Sequence, residues 1–123
     1  MRVRCDRVVD ALGQPQEASH WLTPGREYMV LEITASSGGR VLFRIVGDDG
    51  NVPGLDEAAL FTTVSSAIPS TWTATVDEAG VLTIGPDRWK RPGFWEDFFD
   101  YKPEAVALFD EEYRAMLRSP ESR

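Results

Sequence analysis

Residues 27–46 read EYMVLEITASSGGRVLFRIV, and the fold turns on how this stretch divides. Through EYMVLEI, Tyr28, Val30 and Glu32 alternate with Met29, Leu31 and Ile33, which is the two-residue period of a strand. Both sets carry large apolar residues, so one or both faces of this strand are covered. In RVLFRIV, Val41, Phe43 and Ile45 share one side. TASSGG between the two runs is a loop, and the runs are predicted to pair antiparallel.

The same reading extends in both directions. At the N-terminus RVRCDRVV places Val3, Cys5 and Arg7 on one side of a strand and Arg2, Arg4 and Asp6 on the other, and DALGQPQ stops it at Gly13 and Pro15. Downstream, GDDGN is a turn: Asp is expected to accept local backbone hydrogen bonds, and the partner strand is expected to begin near Asn51. LDEAALFTTV predicts a turn of helix over 55–59 that feeds a strand over 60–64. TWTATVDEAGVLTIG predicts a hairpin that extends the sheet, with Trp72, Ala74 and Val76 on one strand and DEAG as its turn.

This order of elements is that of an SH3-like barrel of about five strands. The stretches MRVRC, LTPGREYMVLEI and FRIVGDDGNVPGLDEAALF resemble a class of small bacterial SH3-like barrel proteins that open with a charged strand ending in Cys and continue with a strand of the pattern LTxGxxYxVL. The resemblance spans roughly residues 1–64. It implies a binding scaffold, and some members of the class look like immunity proteins encoded beside toxins. The chain departs from the pattern in its loops: the segment from Asp10 to Trp21 is long, TASSGG is wide, and VPGLDEAA is inserted before the last strand. It also lacks the acidic, tyrosine-rich start with which eukaryotic SH3 domains hold proline-rich peptides.

The C-terminal part reads as helix. With about 100° of rotation per residue, Phe94, Trp95, Phe98 and Phe99 fall on one side of FWEDFF and Glu96, Asp97 and Asp100 on the other. Lys102 precedes Pro103, so one helix stops and another starts there. The second runs to about Leu117, with Ala105, Val106, Phe109, Tyr113, Met116 and Leu117 within about a third of its circumference. The expected architecture is therefore mainly β (α+β), a single domain over residues 1–123 with the barrel in 1–66 and a hairpin plus two helices in 67–123. The aromatic faces pack inward and leave an acidic exterior: between Gly93 and Glu112 there are seven carboxylates and one lysine.

Composition narrows the function. A chain of 123 residues with 42% hydrophobic and 27% charged residues can bury a core without a disulfide, and one cysteine cannot form an internal one. A net charge of −7 repels nucleic acid and anionic lipid, and no apolar run suits a membrane span or export signal, so a cytoplasmic protein is expected. Cys5 in a strand and His20 in a loop could meet, but Cys5 reads as a buried inert thiol and His20 as a loop anchor beside Trp21, and one histidine excludes histidine-rich metal sites. Asp48, Asp49 and Asn51 fall short of a calcium loop. Adjacent acids such as Asp56 with Glu57, or Glu96 with Asp97, do not flank a bond as glycosidase carboxyls do. No phosphate loop, dinucleotide fingerprint or serine elbow occurs.

Neither catalysis nor a cofactor or metal is thus expected. The expectation is a protein-binding domain whose Glu96, Asp97, Asp100, Glu111 and Glu112 engage a basic, toxin-like protein, with Trp89 or Trp21 as a partly exposed anchor because turn residues and charges flank both. The alternative is a structural or regulatory module that associates with itself or a larger complex through a sheet edge.

Overall fold

The computed structural model describes residues 1–17, 19–50 and 52–118. It is mainly β, with several antiparallel sheets and two C-terminal helices. In chain order the strands are β1 (Arg2–Cys5), β2 (Val8–Val9), β3 (Pro15–Gln16), β4 (Glu27–Met29), β5 (Glu32–Ala35), β6 (Val41–Val46) and β7 (Pro53–Glu57). A 3₁₀ turn (Ala58–Leu60) leads to β8 (Phe61–Ser65), β9 (Trp72–Val76) and β10 (Leu82–Pro86). A second 3₁₀ turn (Asp87–Trp89) precedes α1 (Phe94–Phe99) and α2 (Pro103–Arg118).

The strands form a three-stranded sheet in the order β4-β1-β8, a five-stranded sheet in the order β7-β6-β5-β10-β9, and the ribbon β2-β3. They do not close into a barrel. The predicted strand over 27–33 is two strands in different sheets: β4 pairs with β1, and β5 pairs with β6 and β10. Between them Val30 and Leu31 are buried, with Val30 N–H donating to Met1 and Leu31 N–H to Arg44, so the chain changes sheets without losing its backbone bonds. β1 ends at Cys5, leaving Arg7 exposed, because Val8 and Val9 turn away to pair with Pro15 and Gln16.

Leu55 and Glu57 pair with Arg44 and Leu42, which extends β7 through the predicted helical turn and moves that turn to 58–60. The predicted start at Asn51 lies outside the described residues. The added hairpin forms as expected, with Asp77 Oδ1 accepting from the N–H groups of Ala79 and Val81 while Gly80 adopts φ 81°.

One core runs through the molecule. Val3, Cys5, Tyr28, Val30, Leu31, Phe43 and Ile45 pack continuously with Trp72, Trp89, Phe94, Phe109 and Met116. Each large side chain buried this way contributes about 1.5 to 3 kcal/mol. Trp89 is the hub of the helical part: its ring stacks on Phe109 at 5.1 Å and Phe94 at 6.3 Å and meets the edge of Trp95 at 5.5 Å. Two residues of the predicted inner faces are open to solvent. Phe99 meets the rings of Trp95 and Phe98 on its own helix, and Leu117 lies in the last turn of α2.

Candidate functional site

The face of the five-stranded sheet that α1 covers carries a buried pair of opposite charges. Register sets Glu32 of β5 opposite Arg44 of β6. They are 4% and 7% exposed, and Arg44 Nε donates to Glu32 Oε1 at 3.2 Å. Arg44 Nη1 also donates to the Pro53 carbonyl at 3.2 Å, and the guanidinium lies 3.7 Å from the centre of the Trp95 ring. Burial pushes the Glu32 carboxyl up, opposed by the charge and hydrogen bond of Arg44, by Lys90 and by the Trp95 indole. Burial likewise pushes Arg44 down, opposed by Glu32.

Gly85 makes room for this pair, since a Cβ there would stand 3.0 Å from Glu32 Cγ. Above it opens a cleft of about 360 Å³ between the sheet and the start of α1, lined among others by Glu32, Arg44, Lys90 and Trp95. Its remaining floor is a row of Thr34, Thr83 and Thr75, in register on three adjacent strands. Lys90 Nζ bonds the carbonyl and Oγ1 of Thr73, so it lies across the foot of the hairpin. The charged groups are turned on one another, and the arrangement clamps α1 to the sheet through Trp95.

The acidic residues singled out from the sequence are divided between two states. Glu96 on α1 and Asp100 just after it are exposed, as are Glu104 and Asp110 on α2, and none of the four has an ionic partner among the described residues. Asp97 is held by Arg91 at 3.1 Å and Lys102 at 3.2 Å, which keep its carboxyl below the usual range. Arg88 reaches Glu111 at 3.0 Å and Glu112 at 3.5 Å. The outer layer is therefore less one-sided than its sequence, because Arg88 and Arg91 fold back from the segment DRWKR just before it.

Trp89 corrects the expectation of a partly exposed anchor: it is 1% exposed, and its indole N–H points at the Leu108 carbonyl, 3.4 Å away. Trp21 is half-buried and donates to Asp56 Oδ2 at 2.8 Å. Its ring lies on Gly54 and Gly47, where a Cβ would come within 2.8 and 2.6 Å of it. Burial pushes the Asp56 carboxyl up, and the indole N–H opposes this. The turn at Asp48 also carries bonds that its local sequence does not indicate. Its carboxylate accepts from the hydroxyls of Thr23 (2.7 Å) and Tyr28 (2.8 Å) and from Arg26 (3.0 Å), tying the turn to β4 and the loop before it.

Glu32 and Arg44 are what sequence reasoning missed as a site; the signal was a single charge in the middle of each of two apolar runs. Cys5 is buried with its thiol pKa raised by burial, the reverse of what a nucleophile needs. Among the described residues no group of three or more His, Cys, Asp or Glu is placed to hold a metal ion, and no helix is long and apolar enough to cross a membrane. No family model matches the chain, and no curated protein or solved structure matches it.

Proposed function

We propose that the protein is a binding domain of the SH3-like kind that captures a basic protein through the outer side of α1 and α2, and that in its sharpest form it is an immunity protein that neutralises a toxin by occluding it. The element order supports the SH3-like reading: β1, a strand that bends from one sheet into the next as β4 and β5, then β6, β7, a 3₁₀ step and β8 returning beside β1. The observation that carries the binding reading is the set Glu96, Asp100, Glu104 and Asp110, exposed and without ionic partners among the described residues, on a chain of net charge −7. Such a surface speeds encounter with a cationic protein and rejects anionic ones.

Asp97, Glu111 and Glu112 join that surface by exchange. Arg88 and Arg91 are themselves exposed and the Glu111 pair is open to water, so a partner's arginine replaces Arg88 or Arg91 at small cost. The apolar anchor beside them is Tyr101, 83% exposed and fixed at φ 59°, with Phe99 next to it. Co-purification from the native host at low salt tests this. A basic protein should be retained by the wild-type chain and lost from the variant E96K/D100K/E104K/D110K, and unchanged affinity after the reversal would overturn the proposal.

A further inference from the structure

Among the described residues the five-stranded sheet ends at two unpaired edges, β7 and β9, and they are built differently. At β7 the edge carries Pro53, Asp56 and Glu57, with Glu57 paired to Arg40 and Asp56 to Trp21. Proline and charge are the devices by which sheets discourage further pairing. At the other end β9 reads WTATV, with no charge, proline or bulge, and four of its five residues are exposed, Val76 at 67%.

The ladder also fixes which backbone groups are free. Asp77 N–H donates to the Val81 carbonyl at 3.0 Å, so 77/81 is a hydrogen-bonded pair. Alternation along the antiparallel ladder makes 75/83 and 73/85 hydrogen-bonded as well. The N–H and C=O groups of Ala74 and Val76 and the carbonyl of Trp72 therefore point away from β10. Two details agree: Trp72 N–H is used outside the sheet by the Pro69 carbonyl, and Pro86, which has no N–H, stands opposite Trp72.

We infer that a second copy of this chain docks antiparallel along β9, with a two-fold axis at Ala74, to make one sheet continuous through both molecules. This register is self-complementary. Ala74 exchanges both bonds with Ala74 of the second copy, and Val76 N–H meets the carbonyl of Trp72 of the second copy, in both directions. The small Ala74 side chain sits at the axis without a clash, and the exposed Val76 falls beside Trp72 on the same face. Charge fits as well. Lys90 lies over Thr73 at one end of β9 and Asp77 follows the other end on the same face of the sheet, so the two-fold places each Asp77 on the side of the opposing Lys90.

Sedimentation equilibrium of the full chain across low to high micromolar concentration tests the inference, with a reversible dimer expected. Ala74→Pro removes an N–H that serves no bond within the chain. It should keep the circular dichroism spectrum and raise the dimer dissociation constant roughly tenfold or more. Should that variant lose the spectrum, Val76→Lys gives the same reading without touching the backbone. Ala74→Cys should cross-link to itself through a short bis-maleimide, whereas Val64→Cys on β8 should not. A monomer at every concentration, a dimer equally tight in the folded Ala74→Pro variant or, where it fails to fold, in Val76→Lys, or cross-linking absent at position 74, would each overturn it.

Discussion

Two tryptophans in this molecule each hold an acid, Glu32 buried and Asp56 half-buried, and they do so under different terms. Trp95 stands over the pair Glu32 and Arg44 where α1 meets the five-stranded sheet. Trp21 stands over Gly47 and Gly54 with its indole N–H on Asp56, where the long N-terminal loop meets the turn between β6 and β7. In both places burial pushes the carboxyl up. At Glu32 a guanidinium of full charge opposes that push, while at Asp56 a single neutral N–H does. The countercharge makes the first clamp costly to break, and its lack leaves the second adjustable.

The largest effect is expected at the first clamp. Arg44→Met strands the Glu32 carboxylate inside the cleft, and losing one partner of a buried pair costs about 3 to 5 kcal/mol. Urea unfolding followed by tryptophan fluorescence should show that loss. The double variant E32L/R44M should recover most of it, because an apolar pair of similar volume requires no desolvation of charge. A double variant as unstable as Arg44→Met would show that the cation–π contact with Trp95, and not the stranded acid, is what the single substitution removes.

This clamp was closer to legible in the sequence than it looks. Ser36 N–H donates to the Arg40 carbonyl, and counting back from that pair sets Glu32 opposite Arg44. Reading SGG, residues 37–39, as the tip of a tight hairpin would have paired the two charges, whereas TASSGG taken whole as a loose loop concealed the register. The strands themselves were readable because alternation is local. The passage from β4 to β5 was not, since Val30 and Leu31 carry no glycine or proline and continue the period while the chain changes sheets. The sign of the helical layer was plain from residues 93–112, but its partial neutralisation depended on Arg88 and Arg91 returning from a preceding turn, which no short window contains. The burial of Trp89 was hidden for the same reason: its flanks are polar, and what covers it arrives from both helices.

At the second clamp the effect should be smaller, and its sign should depend on the ring. Gly54→Ala places a Cβ 2.8 Å from Trp21 Cζ2, and overpacking of this kind costs about 1 to 3 kcal/mol. All three close atoms belong to the Trp21 side chain. In a Trp21→Ala background the same substitution should become neutral or stabilising by roughly 0.4 to 1 kcal/mol, because alanine restricts the unfolded chain more than glycine does. A full cycle of four proteins measures this coupling. Equal cost in both backgrounds would mean that the ring does not rest on the strand.

The smallest effect, below about 1 kcal/mol, is read at the second clamp and the neighbouring turn by pH. Asp56 has its pKa raised by burial, so the folded state holds a proton that the unfolded state has already released. The resulting stability is fully present below the ordinary carboxylate value, about 3.9, and is lost as pH rises through the folded one. Asp56→Asn keeps an oxygen for the Trp21 N–H and cannot ionise. It should therefore match the wild type in acid and equal or exceed it at neutral pH. Asp48 supplies the opposite sign: burial pushes it up, but the Thr23 and Tyr28 hydroxyls and Arg26 outweigh this and hold its pKa down. Its contribution is present above the ordinary value and is lost as pH falls, so Asp48→Asn should be less stable than wild type at neutral pH and approach it in acid. Thermal midpoints of the two variants against pH should diverge from wild type in opposite directions. If Asp56→Asn were the less stable protein at neutral pH, the carboxylate charge itself would be holding Trp21, and the distinction between a paired and an unpaired acid would fail.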